Sequence, residues 1–157
     1  MTTSRRFTLP GSDGTALHSA RVTALITEEI RAFQLGFGSR AALLRALRGT
    51  TLIVPVDLDL RAVSFHSTVS DAADAGFRWV CGNTTPERST EFVGAHSGGA
   101  DWKFVAVTGA YLLGTLLPRF SERTGLFVDP GTEDAMAFPP TTEFMPLAPW
   151  AVDLDDA

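Results

Sequence analysis

In the stretch HSARVTALITEEIRAFQLGF the apolar residues Val22, Ile26, Ile30, Phe33 and Phe37 recur at intervals of three and four. That spacing winds them onto one stripe of a helix and leaves Glu28, Glu29 and Arg31 off it. Such a helix gains little stability alone, so the rest of the chain must fold against its apolar face. Gly36 and Gly38 end it. Ser39 can cap a second helix, SRAALLRALRG, which gathers Leu43, Leu44 and Leu47 on one side and stops at Gly49.

After Gly49 the period changes. TTLIVPVD is short, β-branched and apolar on both faces, as a strand inside a sheet is, but Pro55 cannot donate to a ladder and belongs at an edge or bulge. AVSFHSTV alternates, with Val63, Phe65 and Val69 on one side and Ser64, His66 and Thr68 on the other. Phe77, Trp79 and Cys81 share a face of the next strand. NTTPERSTEFVGAH then opens a helix over residues 86–95, with Thr84 or Thr85 as N-cap, Pro86 at the first position and Glu87 at the positive end of the dipole. SGGAD breaks that helix. WKFVAV reads as a strand, TGAYLLGTLL as a short helix ending at Pro118, and GLFVD and AMAF as two further strands. This order predicts an α+β fold, a single domain with a mixed central β-sheet flanked by helices. A flexible lead over residues 1–15, with Pro10, Gly11 and Gly14, precedes the domain at 16–140, and a Pro- and aromatic-rich tail spans 141–157.

With 157 residues, 45% of them hydrophobic and 20% charged, the chain can bury a core without disulfides or metals. The formal net charge is -5 and no run of Lys or Arg exists to neutralise a row of phosphates, which argues against nucleic acid. No apolar run approaches the roughly 18 residues of a membrane span. Arg5 and Arg6 are followed by polar residues where a twin-arginine export signal needs an apolar segment. The single cysteine, Cys81, cannot form an internal disulfide, and the cytoplasm is the expected compartment.

GLFVDPGTEDAMAFPP places Asp129, Glu133 and Asp134 within six positions. Pro130 and Gly131 suit the second and third positions of a type II turn, so the acids are expected at and just past a turn between strands. On that reading strain sets the cost of substitution, and Gly131→Val should damage the protein far more than Asp129→Asn. The competing carboxylate metal site lacks the Asp-x-Asp-x-Asp-Gly rhythm of a calcium loop. Cys81, followed by GNTTPER and a helix, sits where phosphatases and sulfurtransferases hold a thiolate, and Arg88 is its natural partner. Against this, Arg88 comes seven residues after the cysteine instead of six, Glu87 repels anions, and alternation turns the thiol into the core. His18, His66 and His96 come from separate elements without zinc-ligand spacing. No metal and no cofactor is expected.

From GFRWVCGNTTPERSTEF through WKFVAVTGAYLLGTLLPRFSERTGLFVDPGTEDAMAFPP, with ALLRALRGTTLIVPVD before it, the chain resembles the N-terminal domain of the SseB family over residues 39–140. The family's pattern runs strand, T-x-E helix opening, strand, short helix and a strand ending in an Asp-Pro-Gly-like turn with a short apolar run. The resemblance implies a small α+β domain with no catalytic residues to carry over. SseB-like domains are associated in some bacteria with specialised secretion systems, which implies a secretion component as a candidate partner. The chain departs from the pattern in the insertion DLRAVSFHSTVSDAADAG.

The tail TTEFMPLAPWAVDLDDA interleaves Phe144, Met145, Leu147 and Trp150 with Pro146 and Pro149 and ends in acids. It reads as an extended ribbon that either covers its own sheet or docks on another chain. In the second case Phe144, Met145, Leu147 and Trp150 are the binding residues, because aromatic anchors in a proline-stiffened segment lose little entropy on binding. The expected function is a non-catalytic protein-binding or accessory module. The alternatives are a thiol enzyme using Cys81 with Arg88, and a homo-oligomer whose protomers exchange the tail.

Overall fold

Ile26 and Ile30 are wholly buried in a computed structural model that describes residues 21, 25–56, 64–65, 78–96, 102–151 and 153. Expectations for residues 1–15, His18, His66 and Phe77 lie outside the described residues. Residues 25–34 form helix α1, and Phe33 packs, partly buried, against the core cluster that contains the two isoleucines. Gly36 takes φ +81°, and the Phe37 N–H bonds Ala32 O at 2.9 Å while the Gly36 N–H bonds Phe33 O at 3.1 Å. This is a Schellman stop, and the left-handed glycine turns the chain off the helical stripe. Phe37, expected on that stripe, is consequently 87% exposed. Helix α2 (Arg40–Gly49) starts at Ser39, whose hydroxyl accepts the Ala42 N–H at 3.1 Å, and buries Leu43 and Leu47.

Among the described residues six strands follow, with two helices between them. They are β1 (Thr51–Val56), β2 (Ser64–Phe65), β3 (Arg78–Gly82), β4 (Lys103–Thr108), β5 (Thr124–Val128) and β6 (Met136–Phe138). Helix α3 (Pro86–His96) joins β3 to β4, and α4 (Gly109–Tyr111) continues as a π turn, Leu112–Leu116, and a 3-10 turn, Leu117–Arg119. Pro118 therefore sits inside the last turn of this segment. The class is α+β, as the alternation of periods implies.

The sheet is mixed but divided. One part runs β2-β3-β5-β6, with β3 and β5 parallel and the other pairs antiparallel; the other is the antiparallel pair β1-β4. Among the described residues the bridge between Ile53 and Asn83 connects them through bonds of 2.8 and 2.9 Å. Pro55 explains why the pairing goes no further. Backbone groups alternate along a strand, so Pro55 points its nitrogen the same way as Ile53 and has no hydrogen to give. β1 and β2 thus follow one another along the same side of β3, interrupted after the proline.

The core lies between this sheet and the helices, where Leu52, Val54, Val80, Leu126, Val128 and Phe138 meet Leu112, Leu113, Leu117, Leu43 and Leu47. Residues 141–151 close it. They fold as successive turns, Met145 N–H to Thr141 O at 2.9 Å, Ala148 N–H to Met145 O and Ala151 N–H to Ala148 O both at 3.1 Å, instead of the extended ribbon expected. Spacing the apolar residues unevenly between prolines suits turns that drop one side chain at a time into the core.

Candidate functional site

Strand β5 ends in the turn Asp129-Pro130-Gly131-Thr132, closed by the Thr132 N–H on Asp129 O at 3.3 Å. Gly131 has φ +82°, the conformation the third position of a type II turn requires. Asp129 itself takes φ +46°, an uncommon left-handed backbone for a residue with a side chain, though one Asp tolerates better than most. The reason is where this backbone aims its carboxylate.

Asp129 is fully buried. One oxygen accepts the Thr84 N–H at 2.8 Å; the other accepts the Thr84 hydroxyl at 2.7 Å and Arg88 Nη1 at 2.5 Å. Thr84 is therefore spent on the turn, and the N-cap role falls to Thr85, whose hydroxyl accepts the Arg88 N–H at 3.3 Å. Arg88 stands one turn into α3, so its guanidinium lies between two acids and gives Nη2 to Asp134 at 2.8 Å. Asp134, also fully buried, is held from the opposite side by Arg31 of α1, with Nε at 2.6 Å and Nη2 at 3.3 Å. The exposed Glu133 meets the same Arg31 at 3.3 Å.

Two buried carboxylates and two guanidiniums form a neutral chain that ties α1, α3 and the β5-β6 turn together. Burial alone would raise the Asp134 carboxyl; hydrogen bonds from Arg31 and Arg88 and their charges outweigh it and hold the group below the usual carboxylate range. For Arg88, burial pulls the other way from its two acids, and the acids win, so its pKa lies above the ordinary value. The bond from Arg31 to Asp134 raises Arg31 as well. Removing an arginine leaves a buried carboxylate uncompensated, so the cluster locks elements in place.

The turn expectation is met, and the acids do more than occupy it. The ionic partners were hidden because Arg88 and Asp129 are 41 positions apart and Arg31 and Asp134 are 103 apart. The one usable signal was Arg88 itself, read from the sequence as a possible partner of Cys81. A shallow cavity of about 230 Å³ borders the lock, lined by Arg31, Gln34, Leu35, Glu133 and Asp134. Its cations and anions are already matched to each other. Among the described residues, no group of three or more His, Cys, Asp or Glu is arranged to hold a metal ion.

Cys81 is buried, and burial pushes its thiol up to about 12. A thiol in that range is not ionised at neutral pH. With Arg88 engaged by Asp129 and Asp134, the thiolate-plus-arginine arrangement is not formed.

The four tail residues divide. Phe144 and Met145 are core residues, and Phe144 sets its ring edge-on to Phe138 with centroids 5.4 Å apart. Trp150 is half-buried, and its indole N–H donates to Phe120 O at 2.8 Å. Leu147 alone is exposed, at 70%. The arrangement spends Phe144 and Met145 on the chain's own core, with Phe144 against β6. Glu143 adds an ion pair to Arg40 at 2.8 Å, fastening the tail to α2.

Compared with protein families, curated proteins and solved structures, the chain matches none of them. No helix among the described residues is long and apolar enough to cross a membrane.

Proposed function

We propose that the chain is a non-catalytic protein-binding module. The observation that carries this reading is the exposure of Leu35, at 70%, and Phe37, at 87%, on the rigid helix stop beside the lock. Large apolar side chains held on a fixed backbone lose little entropy when covered, which suits them to anchor a partner. The groups with catalytic promise support the same reading, since Cys81 is buried and Arg88, Asp129 and Asp134 are committed to one another. The resemblance of residues 39–140 to SseB domains agrees with an accessory role.

Capture from a native lysate with the full chain, followed by the same capture with Leu35→Asp and Phe37→Asp, tests the reading. A specific partner retained by the original and lost by both variants is expected. An identical set of proteins in all three samples, or rapid labelling of Cys81 in the native protein, would sink it in favour of another surface or of thiol chemistry.

A further inference from the structure

We infer that two copies of this chain pair edge to edge through β4, each placing Phe104 in a cavity of the other. This rests on the protein-binding reading and names one partner for it. Among the described residues β4 pairs only with β1. The Gly109 N–H donates to Thr50 O at 2.8 Å, which fixes the parity of the ladder. Residues 103, 105 and 107 bond β1, so Phe104, Ala106 and Thr108 turn their backbone groups to the free edge. Ile53, bonded away from β4 to Asn83, obeys the same parity.

That edge, KFVAVT, carries no proline, glycine or bulge and has one charge, Lys103, at its end. Strand edges in soluble proteins are normally blunted by such devices, and an unprotected row of donors and acceptors selects another extended backbone as its occupant. What selects a second copy is the side-chain pattern. A two-fold axis normal to the sheet keeps every residue on its own face, so only residues of like parity can meet across it.

Centring that axis on Val105 sets Phe104 against the partner's Ala106. On this face lies a cavity of about 300 Å³ lined by Ile53, Pro86, Ser89, Thr90 and the strand segment Phe104, Val105 and Ala106. Phe104 is 41% exposed, and directly opposed side chains stand about 5 Å apart, so the ring reaches over the small Ala106 into the cavity. Ring and receptacle lie two residues apart on one strand, which makes the surface self-complementary. Charge agrees: Lys103 faces the partner's Val107, and the two lysines lie about 14 Å apart along the strands. Centring on Ala106 instead would set Phe104 against the partner's Thr108. The Thr108 hydroxyl already accepts the Tyr111 N–H at 3.2 Å, and the ring would miss the cavity.

Light scattering of the full chain over a concentration series should show a monomer–dimer equilibrium. Ala106→Pro deletes an N–H that points outward, so it should weaken dimerisation by roughly tenfold or more and leave the melting temperature of the dilute protein nearly unchanged. Phe104→Ala should weaken it too. Val105→Cys, facing its own copy in a close non-hydrogen-bonded pair, should oxidise to a disulfide-linked dimer, and Val107→Cys should not. The buried Cys81 does not compete. A monomer at every concentration overturns self-pairing, as does a dimer that ignores Ala106→Pro and gives no Val105→Cys cross-link. A monomer that still captures a partner through Leu35 and Phe37 removes this proposal alone. A monomer that captures nothing removes the binding reading with it.

Discussion

The β5-β6 region and the β1-β4 arm are both built from short apolar strands, yet they satisfy their groups in opposite ways. β5 is covered almost throughout, with only Phe127 half-buried, and its turn sends Asp129 inward to two hydrogen-bonding residues. β4 has no buried residue, and among the described residues nothing pairs with its outer backbone. The difference teaches that apolar composition alone does not distinguish core from surface in this chain. What separates the regions is whether polar groups can be paired internally. Where Arg88 and Arg31 reach the turn, the region closes; where no described strand pairs with Phe104, Ala106 and Thr108, the edge of the arm stays open.

The contrast breaks most visibly with two phenylalanines. Phe138→Ala, at a wholly buried site, should cost about 3–5 kcal/mol in denaturant unfolding. A loss near 1 kcal/mol would mean that the β6 side is no better packed than the arm. Asp129→Asn should come next, at about 2–4 kcal/mol, because Asn tolerates the left-handed backbone but leaves Arg88 short of a charge. This reverses the order expected from the sequence, in which the glycine of the turn dominated.

Acid should erode the same lock. The folded Asp134 carboxyl titrates below its unfolded value of about 3.9, so its stabilisation is complete above that value and is lost as pH falls through the lower, folded pKa. Melting temperature should therefore be flat from neutral pH to about pH 5 and drop below about pH 4, and Asp134→Asn should reduce the slope of that drop. A slope unchanged by the substitution would assign the acid sensitivity to other carboxylates. Gly131→Val should cost about 1–2 kcal/mol, since its position is open and only the backbone is strained. Smallest of all, Phe104→Ala in dilute protein should change stability by no more than about 1 kcal/mol, measured by the same unfolding titration.

Local rules made much of the fold legible. Period and capping located α2 at Ser39 and α3 at Pro86, and the Asp-Pro-Gly sequence located the turn before β6. Phe37 was misplaced because spacing continued across Gly36 while the backbone did not. The division of the sheet was half visible in Pro55, whose missing donor was plain but whose direction needed the register with Asn83. The tail offered no period, so nothing in it distinguished Phe144 and Met145 from Leu147. The lock was legible least of all. Its acids and arginines are commonplace residues, and only the folded chain brings them together.

The pairing of Arg31 with Asp134 also sets an order of events in time. A growing chain that has made α1 and α2 holds Arg31 without its acid until Asp134, 103 positions after Arg31, has been added. Closing so long a loop is entropically costly and slow beside the formation of a helix, so the final clasp is a late step. Until it forms, the face of α1 that carries Ile26 and Ile30 awaits the strands that cover it. A nascent chain that stops short of the β5-β6 turn therefore leaves both Arg31 and Arg88 without Asp134.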